Sequence, residues 1–279
     1  MKRIVTVQDI SCLGKCSLTV ALPIISAAGI ETSVVPTAVL STHTAFNGGF
    51  TFHDLTSEIQ PISDHWQKEK FTFDAIYTGY LGSFEQIELV SKFFDDFKTD
   101  DNVIVIDPVM ADNGKLYTGF TVDFAHKMGE LCKKADVIVP NLTEACFMLD
   151  EEYIGEGYTR EYIENILKKL AALGPKYAVL TGVSFEEGKL GVMSYNSATG
   201  EFFEYYNTHL PVKFHGTGDV FASSFLGALM NNMSVEDALK VAVEYTLECI
   251  DITVNEENHN WYGVNFELAI PKYLQLLGK

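Results

Sequence analysis

Short β-branched runs alternate with helix-patterned stretches from one end of this 279-residue chain to the other. Strands that follow one another through helical crossovers can pair only in parallel, so the pattern demands a mostly parallel sheet with helices on its faces. Strands are predicted at Ile4 to Val7, Val34 to Leu40, Ala75 to Tyr77, Val103 to Ile106, Val137 to Val139 and Tyr177 to Leu180. Helices are predicted at Ser17 to Ala28, Phe84 to Phe97, Thr121 to Lys133, Asn141 to Asp150, Thr159 to Leu173, Gly218 to Met230 and Ser234 to Glu256. Pro23 lies inside the first helix, where it removes a backbone donor and is expected to kink or shorten it. Lys189 to Tyr195 and Glu201 to Asn207, joined by Asn196-Ser197-Ala198-Thr199-Gly200, read as a hairpin on the sheet edge. No linker, repeat or low-complexity segment interrupts the pattern, and 47% hydrophobic content fills a large core, so one α/β domain over residues 1–279 is expected.

Charge narrows the partners. With 20 basic and 38 acidic side chains the formal charge is −18, which repels nucleic-acid backbones and anionic membrane surfaces. An anionic nucleotide would need a local pocket of N–H donors, a few lysines or a cation, with Mg²⁺ the natural choice. The five cysteines (12, 16, 132, 146 and 249) have neither paired spacing nor a nearby histidine pair, which argues against disulfide or zinc frameworks. The N-terminal apolar run breaks at Gln8-Asp9, and the longest apolar stretch, Leu18 to Ile30, contains Pro23 and Gly29 and is too short to cross a bilayer. A cytoplasmic setting is expected.

In sheets of this kind ligands gather beyond the carboxyl ends of the strands. The most informative segment is Gly216-Thr217-Gly218-Asp219, which runs straight into the small, apolar helix Val220 to Ala228. Two glycines let successive N–H groups face one hollow at a helix N-terminus, a natural seat for a phosphate, and Asp219 in the first turn is expected to stay ionised and to accept a hydroxyl proton. By itself the segment also reads as an ordinary loop opening a buried helix. Asp107 follows the Val103 to Ile106 strand and either ends it or holds Mg²⁺; the turn-rich segment after it, through Asp112 and Tyr117, is long enough to act as a flap. Asn141 and Glu144 read as a capping box, and Glu144 is placed at the same time to order water around a phosphate-bound cation; Thr181-Gly182 adds a hydroxyl and a flexible backbone at the same edge.

Phe214-His215-Gly216-Thr217-Gly218-Asp219-Val220-Phe221 resembles the anion-hole signature of the ribokinase-like superfamily, in which the aspartate is the catalytic base. The ordered set D-P-V-M, P-N-x-x-E, T-G and G-T-G-D resembles the nucleotide half of vitamin-B6 and hydroxymethylpyrimidine kinases, and it covers essentially the whole chain. The segments Val7-Gln8-Asp9, Pro36 to Thr44 and Tyr77 to Gly82 are similar to those of pyridoxal/pyridoxamine kinases. The resemblance implies a three-layer sandwich with a lid loop, and ATP-dependent phosphorylation of the 5′-hydroxymethyl group of a B6 vitamer. It also implies Mg²⁺, an open question of a monovalent cation, and a homodimer.

Residue by residue, it implies that Gly216, Thr217, Gly218 and Asp219 form the catalytic turn, and that Thr44 and Tyr80 line a pyridine pocket. Asp112 and Tyr117 match lid positions; Asn141, Thr181, Gly182 and Phe214 match nucleotide positions; Asp107 and Glu144 match metal positions. Asp9 departs from the pattern, standing where many pyridoxal kinases have serine, and a carboxylate there favours a protonated pyridine or a cationic amine over a neutral aldehyde-bearing ring. Pyridoxamine or pyridoxine is therefore the expected acceptor. Three alternatives stay open: a hydroxymethylpyrimidine kinase, which usually places cysteine where Asp219 stands; an ADP-linked hydro-lyase of nicotinamide nucleotide repair; and a non-catalytic B6-binding protein. His43 and His215 are expected to be hydrogen-bonded scaffolding, and Cys12 and Cys16 inert thiols near the pocket.

Overall fold

The computed structural model describes residues 1–279. In chain order the elements are β1 (Arg3–Leu13), α1 (Leu18–Ala27), β2 (Glu31–Thr42), β3 (Phe52–Asp54), α2 (Thr56–Lys68), β4 (Ala75–Thr78), α3 (Phe84–Phe97), β5 (Val103–Ile106), β6 (Ala111–Asp112) and β7 (Lys115–Leu116). There follow α4 (Val122–Cys132), β8 (Val137–Ile138), α5 (Leu142–Leu149), α6 (Arg160–Ala172), β9 (Tyr177–Val183), β10 (Lys189–Asn196), β11 (Glu201–Thr208), α7 (Thr217–Met230), α8 (Val235–Asn255) and α9 (Phe266–Leu276). This is the expected α/β class, a large, mostly parallel sheet flanked by helices, and it forms two compact units: residues 1–75 with 207–279, and residues 76–206.

In the first unit β1 runs parallel to β2, and β3 joins the outer side of β2 antiparallel. The β1/β2 register shifts between Gln8 and Ile10, opposite Pro36, which has no N–H to give the ladder. Helix α7 is buried almost all round, from Val220 through Ala228, so it is a core helix rather than an amphipathic cover. Small residues let its neighbours close in: a Cβ on Gly227 would overlap the Tyr273 hydroxyl, which donates to the Ser224 carbonyl at 3.1 Å. Tyr245 of α8 stacks on Tyr273 of α9 at 4.7 Å and donates to the Phe266 carbonyl at 2.9 Å.

Three helices of this unit run through an internal proline, at Pro23, Pro61 and Pro271. Each is the sixth residue of its helix, so the lost hydrogen bond and the ring's clash touch only the first turn. Helix α1 therefore extends over most of its predicted length, whereas α2 and α9 go beyond what the sequence reading anticipated.

In the second unit the strands lie in the order β11-β10-β9-β8-β5-β4. The β5/β8 and β8/β9 pairs are parallel, and β10 is antiparallel to β9, so the predicted hairpin forms the outer strands. Helices α3, α4 and α6 begin on Ser83, Thr121 and Thr159, each side chain accepting the N–H three residues on, which fixes where each helix starts. Strands β6 and β7 form a separate two-stranded hairpin whose turn holds Asn113 and Gly114 at φ 51° and 74°.

Candidate functional site

The first unit places the G-T-G-D turn at the N-terminus of α7. Gly216 has φ 76°, and a Cβ there would overlap the Lys15 carbonyl, so only glycine lets this turn press against the loop that opens α1. Gly218 is the opposite case. Beyond its chain neighbours and its own helix backbone, no atom stands within 4 Å of where its Cβ would be, leaving an open hollow above backbone that carries helix-end N–H groups.

Asp219 sits in the first turn of α7, half-buried. The expectation that it stays ionised is corrected: burial, with the Asp9 carboxylate adding to it, pushes its carboxyl up to about 7, and the Ser17 amide offsets this only in part. The helix end favours the anion, but loss of hydration and a like charge together outweigh it. Asp9, on β1, is buried, with 3% of its surface exposed. Burial raises its carboxyl as well, against hydrogen bonds from Ser17 and Ser11, the latter at 3.0 Å.

The segments at residues 14–17, 43–46, 215–219 and 259–263 pack on one another beside the turn. A Cβ on Gly14 would meet the His43 ring at 2.6 Å, and the His43 and His215 rings lie 4.8 Å apart. The Ala45 N–H donates to His43 Nδ1 at 3.2 Å, so Nε2 donates to the Tyr262 carbonyl at 3.1 Å. Both nitrogens are thus committed, and burial with His215 alongside lowers the His43 pKa. His43 is scaffolding, as expected. Thr44 beside it is exposed, and Phe214 rests its ring against His259 at 5.6 Å. Cys12 is exposed, which corrects its expected depth; Cys16 is pushed well above the usual thiol range by burial, Asp219 and Asp9, and is inert as a nucleophile.

The second unit gathers most of the residues expected at the nucleotide. Asn141 caps α5 and completes a capping box with Glu144, as expected. Glu144 does more than cap: Oε2 accepts the Asn141 N–H at 2.9 Å and Oε1 the Met110 N–H at 3.1 Å, which ties the segment after Asp107 to α5. Burial drives its carboxyl up to about 8 despite these bonds. Asp107 is buried too, its N–H donating to the Thr78 carbonyl at 2.9 Å.

The β6/β7 hairpin, which bears Asp112 and leads to the exposed Tyr117, is anchored on the same helix. Asn141 Nδ2 donates to the Ala111 carbonyl at 2.8 Å, and the Gly114 N–H to Thr143 Oγ1 at 3.0 Å. Thr181 bridges Asn141, its N–H donating to the Pro140 carbonyl at 3.0 Å, and Gly182 beside it is exposed with φ 72°. Tyr80, just past β4, packs its ring 5.5 Å from that of Phe120.

The sequence reading missed the hydrogen bond of the Ser11 hydroxyl to Asp9, and also the influence of Ser17, which lowers the carboxyl pKa of both Asp9 and Asp219. Ser11 could have been found, since a side chain two residues along a strand shares the face of Asp9. Ser17 gave no such signal. No group of three or more His, Cys, Asp or Glu side chains stands ready to hold a metal ion, and no helix is long and apolar enough to cross a membrane.

The profile of one family, described as phosphomethylpyrimidine kinase, matches residues 25–263. Among solved structures, a candidate phosphomethylpyrimidine kinase of Bacteroides thetaiotaomicron crystallised with pyridoxal is 42% identical, with TM-score 0.92 over 98% of this chain and 95% of that one. The pyridoxal kinase of Lactobacillus plantarum is 28% identical, with TM-score 0.90 over 99% and 98% of the two chains. The pyridoxine kinase of Bacillus subtilis is 29% identical over 63% of this chain. Matches to the first curated relatives span 43% of a chloroplast thiamine biosynthetic bifunctional enzyme of Arabidopsis thaliana, 58% of a Schizosaccharomyces pombe protein and 64% of the Bacillus enzyme.

Proposed function

Since the chain belongs to the phosphomethylpyrimidine kinase family, we propose that it transfers the γ-phosphoryl group of ATP to the 5′-hydroxymethyl group of a vitamin-B6 vitamer. The observation behind this reading is Asp219, a carboxylate at a helix N-terminus beside the open backbone of Gly218, with its pKa brought to about 7. A base in that range is balanced between taking a proton from the alcohol and releasing it afterwards. An alcohol is far too weak an acid to be ionised in advance, so the proton moves late, once the bond to the leaving phosphate has largely broken. The α7 N-terminus and the Gly216 to Gly218 amides stabilise charge on the transferring group.

The pyridoxal in the 42% identical Bacteroides structure supports the acceptor class, with Thr44 and Tyr80 as pyridine-binding residues and Asp9 favouring pyridoxamine or pyridoxine. Asp112, Tyr117, Asn141, Thr181, Gly182 and Phe214 are assigned to the nucleotide. Glu144 suits a nearby Mg²⁺, because a buried carboxylate raised to about 8 gains a compensating charge from it. With no three-ligand cluster present, phosphate oxygens and water would complete the shell, as magnesium prefers, and Asp107 would help to hold that water. When bound, the ion neutralises phosphate charge. We further assign the whole chain to one catalytic domain, working as a cytoplasmic homodimer.

The test is ADP release from Mg-ATP with pyridoxal, pyridoxamine, pyridoxine and hydroxymethylpyrimidine in turn. Turnover of a B6 vitamer is expected; turnover of hydroxymethylpyrimidine alone would move the assignment to thiamine synthesis, the reading favoured by the family description and the Arabidopsis relative. No turnover with any of them overturns the kinase reading.

A further inference from the structure

Lys15, in the loop between β1 and α1, is pressed between two glycines. A Cβ on Gly216 would overlap its carbonyl, and a Cβ on Gly263 would overlap its own Cβ and stand 3.1 Å from its Cγ. Its ammonium donates to Asn265 Oδ1 and to Glu267 Oε2, each at 2.8 Å, and only 18% of the side chain is exposed. Asn265 is buried and held in turn by the C-terminal end of α8: its N–H donates to Thr253 Oγ1 at 2.7 Å and its Nδ2 to the Glu256 carboxylate. The Thr253 hydroxyl donates to the Cys249 carbonyl at 2.6 Å, so the anchor reaches back into that helix. Confining a long, flexible side chain at both stem and tip has an entropic cost, which a partly exposed pair such as Lys15 with Glu267 does not offset alone. What the confinement fixes is the other end of the residue, the carbonyl that abuts the G-T-G-D turn.

We propose that Lys15 is a positioning residue: anchored by its ammonium to residues 265 and 267, it holds its carbonyl against Gly216 and so sets where the turn presents its amides. This role rests on the phosphotransfer reading and deepens it, since the Gly216 to Gly218 amides are assigned to the transferring phosphate. Neighbouring contacts confine the same loop. A Cβ on Gly14 would stand 2.6 Å from the His43 ring, and Thr19 Oγ1 donates to the Gly14 and Cys16 carbonyls at 3.1 and 2.8 Å. The Lys15 side chain ties that loop to the junction of α8 and α9, on the far side of Lys15 from the turn. Misplacing reacting groups by about 1 Å lowers a rate by up to ~10², so release of the anchor acts on turnover while leaving ground-state binding of either substrate in place.

Two substitutions separate this role from a structural one. Lys15→Met keeps most of the stem and removes the ammonium; Lys15→Arg keeps a cation able to donate to both oxygens. At a temperature where circular dichroism shows each variant fully folded, Lys15→Met is expected to lower kcat ~10- to 100-fold, with the KM for ATP and for the vitamer each within about twofold. Lys15→Arg is expected to recover most of that loss. Amide hydrogen exchange read by mass spectrometry should quicken in Lys15→Met over residues 213–221 and keep the wild-type rate over 76–206. Unchanged exchange over 213–221, or wild-type kcat in the folded variant, overturns the proposal and leaves Lys15 a residue of stability alone. A loss that Lys15→Arg does not reduce overturns it as well. Should Lys15→Met fail to fold, Glu267→Ala removes an exposed acceptor and carries the same test, with about a threefold loss of kcat and faster exchange over 213–221 expected; wild-type values of both overturn the proposal. If wild-type protein phosphorylates no vitamer, the kinase reading fails, and exchange over 213–221 still decides whether Lys15 holds the turn.

Discussion

Asp219 is held in a state that lowers stability at the pH where it would act. Its carboxyl has a folded pKa of about 7 against an ordinary value of 3.8, so between those values the folded chain binds more protons than the unfolded one. Stability is therefore full below the unfolded value and is lost as pH rises through about 7. Asp219→Asn is expected to raise the melting temperature at pH 8 and to leave it unchanged at pH 4. The same substitution should lower kcat by ~10²- to 10⁴-fold with ATP affinity intact. Equal loss of kcat and ATP affinity would make Asp219 a nucleotide-binding residue instead. Asp9→Ser checks acceptor choice: the ratio of pyridoxamine to pyridoxal efficiency should fall, and an unchanged ratio would remove the charge argument for Asp9. The motif made Asp219 legible as a residue, yet its ionisation was not, because Asp9 and Ser17 reach it only through the fold. A helix terminus in sequence signals the term that lowers a carboxyl pKa and says nothing of burial.

At the scale of elements, the two glycines of the turn have different duties. Gly216 is forced by its positive φ and by the Lys15 carbonyl, whereas Gly218 faces empty space. Gly216→Ala should thus destabilise the fold and lose activity with it. Gly218→Ala should leave the melting temperature nearly unchanged and still depress turnover, because a methyl group there occupies the hollow assigned to the phosphate. Equal melting losses in the two variants would assign both glycines to the backbone. Reading from sequence alone recovered the strands and helices of the alternating pattern, because buried apolar runs and polar caps such as Ser83, Thr121 and Thr159 mark their own boundaries. It passed over α2 and α9, where Pro61 and Pro271 signal a break, although at their depth in the helix only the first turn bears the cost. The β6/β7 hairpin was read as a flap; its fastening to α5 by Glu144, Asn141 and Thr143 depends on contacts that no local pattern announces.

Over the whole molecule, a formal charge of −18 and two carboxyls raised by burial act in the same direction. Glu144, like Asp219, has a folded pKa above its unfolded value, so its contribution is also full in acid and is lost as pH rises, here through about 8. Mutual repulsion among surface acids is a separate contribution, and it is screened by salt over a Debye length of about 8 Å at physiological ionic strength. Moving from pH 6 to pH 8 at low salt should therefore lower the melting temperature by several degrees. Added sodium chloride, to about half molar, should relieve the surface repulsion at both pH values and leave the pH-dependent loss from the buried carboxyls in place, since buried charges are screened far less. The Asp219→Asn and Glu144→Gln variants should show the complementary behaviour, with a shallower fall in melting temperature with pH and an undiminished response to salt. Calorimetry of the three proteins over pH and salt decides the matter: if salt alone abolishes the pH dependence of the wild type, the effect belongs to the surface, and the two carboxyls are not held out of water as their environments require.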